Sequence, residues 1–112
     1  MADAPVVPLA AAQDEVAELL SDLIRIDTTN TGDTATSAGE RAAAEWVACK
    51  LADAGVESEI YESEPGRASL VARIPGVDRS RPALLVHGHL DVVPADPSEW
   101  SVHPFSGEER DG

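Results

Sequence analysis

Pro82-Ala83-Leu84-Leu85-Val86-His87-Gly88-His89-Leu90-Asp91-Val92-Val93-Pro94 joins an unbroken apolar run to three polar side chains set two residues apart. A short continuous apolar run of this kind predicts a strand in the middle of a sheet, buried on both faces. Alternation along the strand would place His87, His89 and Asp91 on one face, in steps of about 7 Å. They fall at its C-terminal end, where open α/β sheets carry their ligand sites. Polar groups buried there without partners are costly, and a metal ion satisfies them economically. His89 then offers a neutral imidazole nitrogen, and Asp91 accepts from the other ring N–H, fixing tautomer and orientation. The blander alternative satisfies the histidines with backbone carbonyls and lets Asp91 cap the next turn; three polar residues on one buried face weigh against it.

Upstream, Val16, Leu19, Leu20, Leu23 and Ile24 form one apolar stripe, predicting a helix from Asp14 onward. Residues 1–13 are expected as a flexible tail. The helix gives way at Asp27-Thr28-Thr29-Asn30-Thr31-Gly32-Asp33, whose short polar side chains favour a loop. Ser37 and Glu40 have capping-box spacing, and Ala43, Trp46, Val47, Leu51 and Ala54 continue a second helix up to Gly55. The period then changes to two: Val56, Ile60 and Tyr61 alternate with Glu57, Glu59 and Glu62 as an exposed edge strand. Ser69 to Ile74 follows as a strand, and Pro75-Gly76 turns the chain. Helix, helix, strand, strand, strand predicts an α/β layered domain.

Downstream of Val93, Pro94, Pro97, Pro104 and Gly107 predict irregular backbone, and the ending on Asp111-Gly112 is that expected of a truncated domain. Trp100 and Phe105 are expected to pin this segment to the domain, which would also suit a loop bordering a cleft. His103 reads as an exposed loop residue. Cys49 reads as a small buried side chain in the second helix, and Glu57, Glu59, Glu62 and Glu64 as a solvated face.

Composition narrows the function classes. In 112 residues, 8 Lys and Arg stand against 21 Asp and Glu, for a net charge of −13. Such a chain repels phosphate backbones and anionic lipid, so nucleic-acid and membrane partners are disfavoured. A 43% hydrophobic fraction suits a globular core. Residues 4–12 are small and apolar but carry Asp3 ahead of them and Pro5 and Pro8 within, a poor match to a signal peptide. With a single cysteine, no intrachain disulfide forms, and a cytoplasmic location is expected.

The segment His89-Leu90-Asp91-Val92-Val93-Pro94, with Trp100, Pro104-Phe105 and Asp111-Gly112 behind it, resembles the first signature of the M20 family of metallopeptidases. This is the family of acetylornithine deacetylase, succinyl-diaminopimelate desuccinylase, aminoacylase and carboxypeptidase G. Leu23-Ile24-Arg25-Ile26-Asp27-Thr28-Thr29-Asn30 resembles its opening helix and loop, and Gly39-Glu40-Arg41-Ala42-Ala43 the start of its second helix.

The resemblance implies a three-layer α/β/α zinc-exopeptidase-like catalytic domain. Residues 14–112 would be its N-terminal part, with only the opening helices and first strands present and the lid or dimerisation domain absent. It implies that His89 ligates one of two zinc ions, for which cobalt could substitute, and that Asp91 orients it as an active-site residue. His87 is not a ligand in that pattern and is expected as a buried group behind the site. The bridging Asp, the general-base Glu and the remaining ligands would follow Gly112. The implied reaction is zinc-dependent hydrolysis of amide bonds in a peptide or N-acyl amino acid, with metal-activated water attacking the carbonyl. The implied partners are that small substrate and, in the complete protein, a second copy. The 112-residue chain alone is expected to bind zinc weakly and to catalyse nothing, because a catalytic zinc needs about three protein ligands.

Other readings compete. His87-x-His89-x-Asp91 is similar to the H-x-H-x-D-H signature of metallo-β-lactamase-like hydrolases, but Val92 stands where the last His is required and the chain opens with helices. Amidohydrolase barrels also carry H-x-H on an early strand, yet two helices and a strand pair do not begin a regular (β/α)₈ pattern. A non-catalytic remnant or binding domain would leave most of the site missing, while gaining nothing from the polar trio.

Overall fold

The computed structural model describes residues 8–112. These divide into two compact units, one holding the chain up to Ile26 together with Ala95–Gly112, the other Asp27–Pro94.

In the first unit α1 spans Leu9–Ile24. It starts ahead of Asp14 because Leu9-Ala10-Ala11-Ala12 are strong helix formers, and Pro8 at the N-cap accepts from the Ala12 N–H at 3.2 Å. Of the tail expected over residues 1–13, residues 1–7 lie outside the described residues and the rest is mostly helix. The apolar stripe is present but thinly covered: Leu19 and Leu23 are half-buried, whereas Val16 and Leu20 are exposed. The Ser21 hydroxyl donates to the Gly107 carbonyl, and Arg25 Nε to that of Ser106 at 3.2 Å. A short 3₁₀ helix, Pro97–Glu99, is capped by Asp96, which accepts from the Ser98 N–H at 2.9 Å. Trp100 does not anchor this segment, being 55% exposed. Phe105 is half-buried and tilts against His103, which is exposed as its loop position predicted.

In the second unit α2 (Arg41–Asp53) precedes two strands, β1 (Ser58–Glu64) and β2 (Arg67–Ala72). The strands pair antiparallel with Ile60 opposite Leu70 and Tyr61 opposite Ser69, and a bulge falls between Glu62 and Glu64. The joining pair Pro65-Gly66 has the composition of a type II turn, with Gly66 at the required positive φ of 83°. The glutamates of β1, Glu59, Glu62 and Glu64, are exposed, as expected of a solvated edge strand. Helix α2 packs on the hairpin through small residues: Ala43, Ala44 and Ala68 are the buried apolar side chains among the described residues. It closes in a Schellman motif, with Gly55 N–H on the Ala52 carbonyl at 2.9 Å and Val56 N–H on that of Leu51 at 2.8 Å.

Three expectations need correction. Ser37 does not cap α2; Glu40 stands at the N-cap, and the Ser37 hydroxyl donates to the Asp33 carbonyl at 2.8 Å and accepts from the Thr31 N–H at 3.0 Å. The loop's own polar groups outcompete the helix for it. Cys49 is exposed, because five and six residues from Ala44 and Ala43 put it roughly 120–140° around the helix from the buried face. Residues 82–91 form no strand: a strand exists through its ladder, and this run finds no partner among the described residues. Leu84, Leu85 and Val86 are accordingly between 83% and 88% exposed rather than buried.

The described residues thus combine helices and sheet in an α/β arrangement. No helix among them is long and apolar enough to cross a membrane.

Candidate active site

The site is assembled where the loop after Ile26 meets residues 90–92. Thr28, 4% exposed, donates its hydroxyl to the Leu90 carbonyl at 2.7 Å. Around it the Val92 N–H donates to the Thr28 carbonyl at 3.2 Å and the Asn30 N–H to the Val92 carbonyl at 2.8 Å, forming a parallel bridge between Thr29 and Val92. Asp27 supports the loop from below by accepting from the Thr29 N–H at 2.9 Å. The main chain on both sides of Asp91 is thereby fixed.

Asp91 divides its carboxylate between two neighbours. Oδ1 lies 3.0 Å from His89 Nδ1, and Oδ2 accepts from Asn30 Nδ2 at 2.9 Å. His89 Nδ1 also lies 2.8 Å from the Asp91 carbonyl oxygen. Both atoms facing Nδ1 are acceptors, so the neutral ring carries its proton on Nδ1 and keeps a lone pair on Nε2. The side chain is 85% exposed, and Nε2 has no partner among the described residues.

A second line of charge reaches Asp91 from β2. Glu40 has only 7% of its side chain exposed, and a buried carboxylate needs a counter-ion. Arg67 supplies it, with Nε 3.1 Å from Glu40 Oε1, and holds Nη2 4.0 Å from Asp91 Oδ2. The Asn30 amide does most to hold the Asp91 carboxyl below the usual aspartate range; burial opposes it, and His89 and Arg67 add to the lowering. His89 and Asp91 line two adjoining clefts. One, about 670 Å³, is also lined by Glu40, Val47, Arg67 and Leu70; the other, about 360 Å³, by Asn30, Thr31, Gly32 and Val93.

The structure therefore brings His89 and Asp91 together and leaves His87 apart. His87 is exposed rather than buried, lines neither cleft and makes no hydrogen bond among the described residues, because the buried strand expected to carry it is not formed. The donor chemistry at His89 fits zinc: a neutral imidazole with one nitrogen pinned and the other open is an ordinary zinc ligand. It fits as a single ligand, since no group of three or more His, Cys, Asp or Glu converges to hold a metal among the described residues. Asn30, Arg67 and Glu40 were not singled out from sequence for this site. The polar loop containing Asn30 was visible, but not its contact with a residue 61 positions later.

Comparison with known proteins bears on this arrangement. N-fatty-acyl-amino acid synthase/hydrolase PM20D1 of Xenopus tropicalis is 47% identical over 47 residues, 42% of this chain and 9% of that protein. Acetylornithine deacetylase of Vibrio campbellii is 31% identical over 94 residues, 84% of this chain and 24% of the enzyme. Succinyl-diaminopimelate desuccinylase of Bradyrhizobium diazoefficiens is 47% identical over 51 residues, 45% of this chain and 13% of the enzyme. The chain is homologous to M20 family enzymes. These M20 relatives are, by name, a synthase/hydrolase of N-fatty-acyl amino acids, a deacetylase and a desuccinylase. The aligned segment spans between 9% and 24% of the three M20 proteins' own lengths. No family model matches the chain, and no solved structure gives a significant match.

Proposed function

We propose that the chain supplies one metal ligand, His89, and the carboxylate that orients it, Asp91, to a zinc-dependent hydrolase of amide bonds. The observation that carries the reading is the Nδ1 contact to Asp91 at 3.0 Å, which leaves Nε2 open on an exposed ring. Asp91 fixes the tautomer and keeps the ring basic; Asn30 hydrogen-bonds the Asp91 carboxylate, and Arg67 adds positive charge beside it. When bound, zinc, or cobalt in its place, supplies Lewis acidity that polarises a scissile carbonyl and acidifies water. The names of the M20 relatives favour an N-acyl amino acid or peptide as substrate; the proposed whole enzyme has a three-layer α/β/α catalytic domain with a separate lid or dimerisation domain, takes two zinc ions and works as a homodimer. The acidic charge and single cysteine support a cytoplasmic enzyme that does not bind nucleic acid or membrane.

The test is made on the whole protein: zinc content, and hydrolysis of N-acetyl and N-succinyl amino acids with and without a chelator. His89→Gln is expected to lose bound zinc and turnover, and Asp91→Ala to weaken one or both by about 10–100-fold. Hydrolysis indifferent to chelator would overturn the zinc assignment. Full zinc content and turnover in His89→Gln would overturn the role of His89.

A further inference from the structure

Four neighbours reach Asp91 in different ways. Thr28 and Val92 fix its main chain but do not touch the carboxylate. Arg67 Nη2, at 4.0 Å from Oδ2, lies beyond hydrogen-bond reach, and its Nε is spent on Glu40, so it contributes charge without direction. Asn30 alone gives direction, through Nδ2 at 2.9 Å from Oδ2.

The Asn30 side chain is itself held. Its Oδ1 accepts from the Gly32 N–H at 2.9 Å, which settles which end of the amide is the donor, and its main-chain N–H is bonded one residue past Asp91. A carboxylate with one oxygen clamped in this way cannot swing its other oxygen away from His89 without breaking the amide contact.

We propose that Asn30 is the positioning residue of the site: its amide locks the Asp91 carboxylate in the orientation that, together with the Asp91 main-chain carbonyl, pins His89 as the Nδ1–H tautomer and so directs Nε2 outward as a donor. Only the last step, the use of that donor by zinc, rests on the function proposed above.

The experiment separates the two. In the whole protein, metal-free and at a pH where imidazole is neutral, long-range ¹H–¹⁵N NMR reads the His89 tautomer, with its signals assigned through His89→Gln. Zinc affinity is read separately by chelator competition. Asn30→Ala is expected to move His89 from Nδ1–H towards Nε2–H and to weaken zinc binding by about tenfold. In an Asp91→Ala background the same substitution should add nothing to either readout, since Asn30 acts through Asp91. Asn30→Asp keeps the size and the Gly32 acceptor while removing the donor, and should shift the tautomer as well; it serves if the alanine variant does not fold. A tautomer unchanged in both variants overturns the proposal, as does an undiminished Asn30→Ala effect in the Asp91→Ala background. A tautomer that shifts in a protein that never binds zinc upholds the positioning role and overturns the zinc function.

Discussion

Glu62 accepts from two donors at once, the Gly66 main-chain N–H and Arg41 Nη1, each at 2.8 Å. The Gly66 amide first, then Arg41, holds its carboxyl below the usual glutamate range against a smaller opposing effect of burial. With the folded value depressed, the ionised group stabilises the protein above the unfolded value, about 4.3, and that contribution fades as pH falls through the folded value. The difference in denaturation midpoint between wild type and Glu62→Gln is therefore expected to be steady near neutrality and to narrow progressively as the pH falls below the unfolded value. It will be small, because the pair is partly solvated and screened. A gap that does not narrow with acidification would assign the effect to shape rather than charge. Asp91 obeys the same physics with a different reach. Its link to His89 was legible in the sequence because a spacing of two brings neighbours onto one side of extended chain. Its links to Asn30 and Arg67 were not, since they depend on which distant segments the fold lays alongside it.

Among the elements, the junction between α2 and the hairpin is controlled by a glycine. Gly39 has φ +79°, and a Cβ there would sit 2.7 Å from the Gly66 carbonyl oxygen, beside the 2.8 Å bond from Glu40 N–H to the same oxygen. Gly55, at the C-terminal end of α2, has φ +77° but open space around it. Gly39→Ala should therefore destabilise by about 1–3 kcal/mol, combining strain with backbone displacement, and Gly55→Ala by only about 1 kcal/mol. Equal losses in chemical denaturation would show that the close approach to Gly66 does not matter. Both helices and the two strands were readable from local signals: apolar stripes, Gly55 and the change of period after it; the turn at Pro65-Gly66 was not singled out, and the second strand, expected over Ser69 to Ile74, runs Arg67–Ala72. Boundaries slipped where two local signals competed, as at Ser37, or where alanine propensity carried a helix past its apolar stripe, as at Leu9. The run at residues 82–86 misled because its composition reports what a strand would bury, whereas strand formation depends on partners that sequence does not name.

At the scale of the whole molecule, the described residues hold one candidate ligand and its supports without a converging set of three donors. The 112-residue chain by itself is accordingly expected to bind zinc weakly and to show no amide hydrolysis. Nanomolar affinity in competition with a chelator would refute that. The bridge between Thr29 and Val92 has a kinetic side as well. The Thr28 hydroxyl and the Leu90 carbonyl are 62 residues apart, and closing a loop of that length costs roughly 3–4 kcal/mol of chain entropy. The hairpin between them closes over two residues. Contacts of such unequal range form in sequence, local ones first, so α2 and the hairpin can be complete, and His89 can already face Asp91 two residues on, while Asn30 and Asp91 are still apart. The order reverses on opening: the long-range clasp is the contact given up most cheaply, and the amides of Asn30 and Val92 should exchange with solvent sooner than those of β1 and β2.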